Sequence, residues 1–147
     1  MVPAGAQRGG YGWAFFYRAV MPKALLVTDA TWVSNDVMAA LSQGNWVIEV
    51  LSHPAQAADR VTADYYDAVI VDMQVANMGG MAVIRAIRQA TVDRHRPRLV
   101  LLLDRVADRF IAKRSGADAG VLKPIRAWDL RRALESIPAV VVPAEEE

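Results

Sequence analysis

The sequence predicts an α/β fold built on a doubly wound, five-stranded parallel sheet. Five short apolar runs divide the 147-residue chain, and segments with helical periodicity lie between them. Three of the runs are almost continuous in valine, isoleucine and leucine, which is typical of strands that are covered on both faces. Strand and helix thus alternate five times, a pattern that favours βα units arranged in three layers.

The apolar runs are the predicted strands, and the periodic segments between them are the predicted helices. In chain order the strands are Lys23–Asp29, Trp46–Leu51, Ala68–Asp72, Leu99–Leu103 and Gly120–Leu122. The helical stripes are Val33, Val37 and Leu41; Met81, Ile84 and Ile87; Val106, Phe110 and Ile111; and Leu130, Leu134 and Ile137. Gly44 is the predicted stop of the first helix, and alanine-rich Pro54–Asp64 is a weaker fifth helix. The order predicts a flavodoxin-like three-layer sandwich.

The length suits one domain with one core. We place an aromatic-rich N-terminal extension at 1–21, the folded domain at 22–138 and an acidic tail at 139–147. The extension is either a docking arm or an upstream segment of little consequence, and MPKALLV, from Met21, favours the second. Its aromatic residues are Tyr11, Trp13, Phe15, Phe16 and Tyr17. The tail is too short for another domain, so we expect a stand-alone protein.

Composition excludes several classes of protein. Seventeen basic and sixteen acidic residues nearly cancel, so no global field favours nucleic acid or an anionic membrane as a partner. The absence of cysteine excludes disulfides, cysteine nucleophiles and thiolate metal sites. No segment approaches the roughly 18 apolar residues that span a bilayer, and no signal peptide is recognisable. We therefore expect a cytoplasmic protein.

Charged residues lie at the carboxyl ends of three of the predicted strands. Asp29 ends the first, Asp72 ends the third, and Lys123 comes directly after the fifth. In an open parallel sheet these positions share one edge, where ligands bind. Two carboxylates suit Mg²⁺, a carboxylate can attack a phosphoryl group, and a lysine can offset charge on the transferred oxygens. The alternative is that each aspartate caps the turn or helix after its strand.

These residues resemble the receiver domain of two-component response regulators, over about Lys23 to Ile137. The resemblance implies that Asp72, in AVIVDMQVANMGG, accepts phosphate and that Asp29 is the second acid of the Mg²⁺-binding pair. Gln74 stands where the family offers a backbone carbonyl to the metal, and Gly80 where a glycine opens the third helix. SGADAGVLKPI contains the family's lysine, Lys123. A cis peptide before Pro124 and a histidine kinase or other protein partner are also implied.

Three of the departures from the family pattern bear on the mechanism. Thr28 replaces the first acid of the pair, which implies a weakened Mg²⁺ site. Leu102 replaces the Ser or Thr at the end of the fourth strand, with Leu101 and Leu103 as neighbouring alternatives, and a leucine cannot hydrogen-bond a phosphoryl oxygen. Gly120 replaces the aromatic switch residue. The resemblance therefore implies a degenerate switch even if Asp72 is phosphorylated.

Four functions are consistent with an α/β fold of this kind. The leading one is a non-enzymatic receiver-like protein in phosphorelay signal transduction, capable at most of Mg²⁺-dependent self-phosphorylation from a phosphodonor. The second is a pseudo-receiver that works as a protein–protein interaction module without phosphorylation. The third, a small flavodoxin-like cofactor binder, is disfavoured because TDATWVSN contains neither a G-x-G-x-x-G fingerprint nor a P-loop. A DNA-binding regulator is disfavoured because no helix-turn-helix remains.

An interaction surface is predicted on the last helix. Trp128 is out of phase with the apolar stripe of Leu130 and Leu134, and Arg131 lies close to it in sequence. An exposed tryptophan among arginines is typical of a contact hot spot. The alternatives are a tryptophan folded flat over the edge of the domain and, for the surface as a whole, a homodimer interface.

Overall fold

The computed structural model describes residues 21–135, which form a parallel sheet with helices on both faces. The strands are β1 (Lys23–Val27), β2 (Val47–Leu51), β3 (Ala68–Asp72), β4 (Arg98–Leu103) and β5 (Ala119–Leu122). The helices are α1 (Thr31–Ala40), α2 (Ala57–Ala63, after a 3-10 turn at Pro54–Gln56), α3 (Gly80–Ala90), α4 (Asp108–Ser115) and α5 (Ala127–Leu134). The predicted fold class is confirmed, and each strand agrees with its prediction to within two residues at either end.

The strands are arranged in the order β2-β1-β3-β4-β5, and every pairing is parallel. The chain adds β2 on one side of β1 and then crosses to add β3 on the other side. The strand order therefore reverses between β1 and β3. In sheets of this kind a crevice opens at the carboxyl ends of the two strands that flank such a reversal.

The core consists of two apolar layers, one on each face of the sheet. Successive side chains of a strand point to opposite faces. Leu25 and Val27 of β1 accordingly pack with the residues of α2, α3 and α4, whereas Leu26 packs with those of α1 and α5. Since both faces are covered, a polar side chain inside a central strand would be buried whichever way it pointed. This accounts for the continuous apolar runs in the sequence.

The apolar stripe predicted for the helix between β4 and β5 is wrong. Val106 and Phe110 are 55% and 65% exposed, and the buried residues of α4 include Ala112 and Ser115. The helix begins only at Asp108, whose buried carboxylate accepts hydrogen bonds from the backbone N–H of Arg105 (3.0 Å) and from its guanidinium (3.3 Å). Because Asp108 faces inward, α4 is rotated about its axis relative to the predicted orientation. Its small residues therefore contact the sheet.

The predicted stop of α1 at Gly44 is also wrong. The helix ends at Ala40, and a turn of five residues, 41–45, leads towards β2. Asn45 is the residue of this turn with a left-handed conformation (φ 60°), which asparagine tolerates better than most residues do. Gly44 therefore belongs to the turn and does not end the helix.

Several predictions concern residues outside the described range 21–135. These are the aromatic residues of the N-terminal extension, Ile137 in the last helical stripe, and the acidic tail. Within the described range, no helix is both long and apolar enough to cross a bilayer.

Candidate functional site

Asp72 occupies the reversal point of the sheet. It is the last residue of β3 and is 2% exposed. Its Oδ2 accepts a hydrogen bond from the hydroxyl of Thr28 (2.8 Å). Its Oδ1 accepts hydrogen bonds from the ammonium of Lys123 (2.6 Å) and the backbone N–H of Gln74 (3.0 Å). Three segments, which follow β1, β3 and β5, thus converge on one buried carboxylate.

Local structure holds each of these donors in place. The hydroxyl oxygen of Thr28 accepts the N–H of Ala30 (3.2 Å), so its proton is directed to Asp72. The N–H of Gln74 closes a turn on the carboxylate two residues earlier, a common conformation for aspartate. Lys123 follows β5 directly, and the peptide bond between Lys123 and Pro124 is cis, as the resemblance implied.

Lys123 bridges two carboxylates. Its side chain is 8% exposed, and the ammonium also donates to Oδ1 of Asp104 (3.0 Å). Burial disfavours the charged ammonium, but the hydrogen bonds to Asp72 and Asp104 outweigh it and raise the pKa of Lys123 above its ordinary 10.5. Burial likewise opposes ionisation of Asp104, but hydrogen bonds from Gln74 and Lys123 lower the pKa of this carboxyl below 3.8. The contact between Lys123 and Asp104 therefore favours the charged form of both groups.

Asp104 belongs to the site but is not among the predicted site residues. Besides the lysine contact, its Oδ2 accepts a hydrogen bond from the side-chain amide of Gln74 (2.8 Å). A signal was present in the sequence, because Asp104 directly follows the apolar run of β4. It therefore lies at the same edge of the sheet as Asp72. The site contains an acid on each of three neighbouring strand ends.

Trp32 was also missed. It is the second residue of α1, and the centroid of its ring lies 5.5 Å from Nζ of Lys123. That distance is within the range of a cation–π interaction. The residue is 54% exposed, so it connects the buried lysine with the surface. Its position out of phase with Val33 and Val37 showed that it lies off the core face but not which residue it contacts.

The donor set fits Mg²⁺. Asp29 is exposed and directly follows Thr28, and no hydrogen bond or ion pair of its carboxylate is found within residues 21–135. With Asp72 and the carbonyl of Gln74 it would provide hard oxygen ligands, and Mg²⁺ commonly takes one or two protein carboxylates and keeps several waters. No group of three or more acidic, histidine or cysteine side chains in the described range could hold a metal. Water would complete the coordination shell.

The two predicted switch positions have no polar or aromatic side chain, and their surroundings are filled. Leu102 pairs with Asp72 across β3 and β4 and is fully buried, as are Leu101 and Leu103. A Cβ added to Gly120 would lie 2.9 Å from Cδ1 of Leu103 and 3.4 Å from Cβ of Ala112. Leu103 and Ala112 thus occupy the space beside Gly120 into which a larger residue would have to fit.

The last helix presents the predicted surface tryptophan. Trp128 is 63% exposed, and the guanidinium of Arg132 lies 5.6 Å from its ring centroid. Phe110 of α4 is similarly exposed, with the guanidinium of Arg114 5.7 Å from its ring. Arg131 is only partly exposed. Both helices therefore carry an aromatic ring paired with an arginine at the surface.

Comparison with known proteins identifies the family of this chain. The family model of the response regulator receiver domain matches residues 24–135. The chain is similar to response regulator MprA of Mycolicibacterium vanbaalenii, with 28% identity over 116 residues that cover 78% of this chain and 49% of the relative. The chain thus spans about half the length of the curated relatives it matches.

Solved structures share the fold. The receiver domain of sensor histidine kinase PA1611 from Pseudomonas aeruginosa, which has magnesium in its active-site cleft, superposes with a TM-score of 0.67. It is 21% identical, over 78% of this chain and 94% of that chain. The receiver domain of Ssk1, in a co-crystal with the histidine phosphotransfer protein Ypd1 from Saccharomyces cerevisiae, has a TM-score of 0.67 and 15% identity, over 78% and 86%. By the family match over most of its length, the chain belongs to the response regulator receiver domain family.

Proposed function

We propose that this chain accepts a phosphoryl group on Asp72 as a receiver in cytoplasmic two-component signal transduction. The observation that carries the proposal is the contact of the buried Asp72 carboxylate with Lys123 at the reversal point of the sheet. An exposed acid, Asp29, follows Thr28 in the loop after β1. This combination suits transfer of a phosphoryl group better than a purely structural ion pair.

The chemistry follows from these contacts. An oxygen of Asp72 forms a bond to phosphorus while the bond from phosphorus to the donor breaks, and the leaving group keeps the electron pair. Lys123 offsets the charge of the transferred oxygens. Mg²⁺, held by Asp29, Asp72 and the Gln74 carbonyl, would supply further charge neutralisation. Thr28 contributes no charge, so we propose that this metal site is weak.

A phosphorylated protein histidine is the donor we propose. Receiver domains interact with histidine kinases or phosphotransfer proteins, and the structurally similar Ssk1 domain was crystallised with such a phosphotransfer protein. The supporting feature in this chain is that Asp72 lies at the carboxyl ends of the strands, next to surface loops. The loops after β1 and β3 carry exposed residues there, Asp29 and Gln74 among them.

We propose further that phosphorylation is not read out through a hydroxyl on β4 and an aromatic residue on β5. Leu102 has no hydrogen-bond donor for a phosphoryl oxygen, and neither do its neighbours Leu101 and Leu103. Gly120 has no side chain to reorient, and Leu103 occupies the adjoining space. Phosphate acceptance and the response to it are therefore separate questions in this protein.

The direct test is intact mass after incubation with Mg²⁺ and acetyl phosphate. We expect one added phosphoryl group on the wild-type chain and none on Asp72→Asn, because the amide cannot form the acyl phosphate. Asp93→Asn, an exposed acid in the turn between α3 and β4, is the matched control and should be modified like the wild type. A folded wild-type chain that gains no mass at saturating Mg²⁺ would instead support the pseudo-receiver alternative.

The surface of α4 and α5 favours a second role, as an interaction module. The exposed rings of Trp128 and Phe110 and their paired arginines suit self-association or binding of another protein. We expect Trp128→Ala to weaken self-association by about tenfold or more, the usual effect of truncating a hot-spot residue. Sedimentation measures the association, and the melting temperature should stay nearly unchanged because the ring is exposed.

The matched control for this surface is Val92→Ala, which removes another exposed apolar side chain (76%) from the turn after α3. This variant should associate like the wild type. A Trp128→Ala chain that unfolds while its association is unchanged would mean that the ring packs over the domain edge. A wild-type chain that stays monomeric at high concentration would rule out the homodimer.

A further inference from the structure

The ammonium of Lys123 contacts residues from three different parts of the chain. Asp72 at the end of β3 and Asp104 after β4 accept two of its hydrogen bonds, at 2.6 and 3.0 Å. The ring of Trp32, from the first turn of α1, lies 5.5 Å away. Two carboxylates alone would allow the ammonium to swing about the line between them. A third contact from another element limits that freedom.

Trp32 is exposed, whereas the side chains of the lysine and the aspartate of the site are buried. Asp72 is 2% exposed and the side chain of Lys123 is 8% exposed, whereas Trp32 is 54% exposed. Among the described residues Trp32 is thus the exposed group in ring contact with the lysine of the site. Any displacement of the ammonium changes the surroundings of an aromatic ring at the surface.

We propose that Trp32 is a positioning residue for Lys123 and that it transmits the phosphorylation state of Asp72 to the surface of α1. This inference rests on the proposed function. It assigns the readout to α1, on the face of the sheet that also carries α5. The positions on β4 and β5 where the family has its switch lack the required side chains.

The physical basis is a competition for the ammonium. When Oδ1 of Asp72 forms its bond to phosphorus, the phosphorus–oxygen bond of acetyl phosphate breaks and acetate leaves with the electron pair. The carboxylate loses its charge, and a dianionic phosphoryl group takes its place nearby. Full charges attract an ammonium more strongly than the quadrupole of an indole ring does. Lys123 follows the phosphoryl oxygens, and its contact with Trp32 lengthens.

The positioning part is tested by replacing the ring. Trp32→Leu keeps an apolar side chain without a π face, and Trp32→Phe restores a weaker one. We expect acetyl phosphate to modify Trp32→Leu between about threefold and thirtyfold more slowly than the wild type, the range that a cation–π contact corresponds to. Trp32→Phe should recover most of the rate. Trp46→Phe, whose ring packs against the core layer that contains α1 and α5 and not against Lys123, is the control and should react like the wild type.

The transmission part is tested by NMR of the indole N–H groups in the full chain, with the Trp32 resonance assigned by its loss in Trp32→Phe. We expect that resonance to move on phosphorylation more than those of Trp46 and Trp128, and to stay in place in Asp72→Asn. In the unmodified protein the Lys123 side-chain protons should show a ring-current shift that Trp32→Leu abolishes and Trp32→Phe partly retains.

The outcomes separate this inference from the proposed function. If Asp72 is phosphorylated but the Trp32 resonance does not move, transmission through Trp32 is wrong and phosphate acceptance stands. If Trp32→Leu reacts at the wild-type rate and keeps the ring-current shift of Lys123, positioning is wrong. If the wild-type chain is never phosphorylated, the proposed function and transmission fail together, and the lysine shift alone decides positioning.

Discussion

Thr28→Asp is expected to strengthen the binding of Mg²⁺ by tenfold to one hundredfold, or about 1.4 to 2.8 kcal/mol. The substitution replaces a neutral hydroxyl, which now donates to Oδ2 of Asp72 (2.8 Å), with a carboxylate at the position that contacts Asp72 and precedes Asp29 in the chain. Hard divalent cations bind more tightly as the carboxylate charge around them increases. Isothermal titration calorimetry of the wild type and the variant measures the difference.

The same substitution should lower the stability of the metal-free protein. Three carboxylates at one edge repel one another, and Oδ2 of Asp72 loses the hydrogen bond from Thr28, which for a buried acceptor costs about 1 to 3 kcal/mol. Added Mg²⁺ should restore the stability of Thr28→Asp by linkage. Thr28→Val, the matched control, removes the hydroxyl without adding charge, so it should lose stability but gain no affinity. Equal Mg²⁺ affinity of Thr28→Asp and the wild type would show that Mg²⁺ is not bound at this edge.

Gly80→Ala is expected to destabilise the protein by about 3 kcal/mol or more, towards the upper end of the usual cost of overpacking. A Cβ at this position would lie 2.7 Å from the backbone oxygen of Asp72 and 2.8 Å from Cα of Met73. Both are backbone atoms and cannot move without displacing the end of β3. The third close atom, Cδ1 of Leu101, is 2.9 Å away in a packed core. Chemical denaturation measures the loss.

Gly44→Ala is the matched control for Gly80→Ala. Its Cβ would meet Cδ1 of the Trp46 side chain at 3.0 Å, and this partly exposed ring can shift by a few tenths of an ångström. We therefore expect a loss below about 1 kcal/mol, as for ordinary surface substitutions. Similar losses at the two glycines would mean that α3 can move away from β3. The position of Asp72 would then not depend on a close approach at Gly80.

Most of the fold could be predicted from the sequence because strand burial leaves a direct mark on composition. A strand between two helical layers has apolar side chains on both faces, as Ala68–Asp72 shows. The same reasoning located Asp72 and Lys123, because the carboxyl ends of parallel strands meet at one edge. Applied to β4, it would also have located Asp104.

The phase of α4 could not be predicted in this way. Val106 and Phe110 are apolar and correctly spaced for a helix, but they are exposed, whereas Asp108 is buried. Apolar spacing is informative only when the apolar residues are the ones that face the core. Here the inward face is decided by the hydrogen bond of Asp108 to the Arg105 N–H and by the small residues that fit against the sheet.

The sequence by itself determined which strands form, their parallel arrangement and the edge at which Asp72 and Lys123 meet, because these depend on burial and on alternation along the chain. Only the tertiary structure decided the contacts around Lys123. Asp104 lies 19 residues before it and Asp72 lies 51 before it, and Trp32 reaches it from the opposite end of the domain sequence. The positions of these side chains depend on how helices and strand ends pack together, and no local pattern encodes that packing.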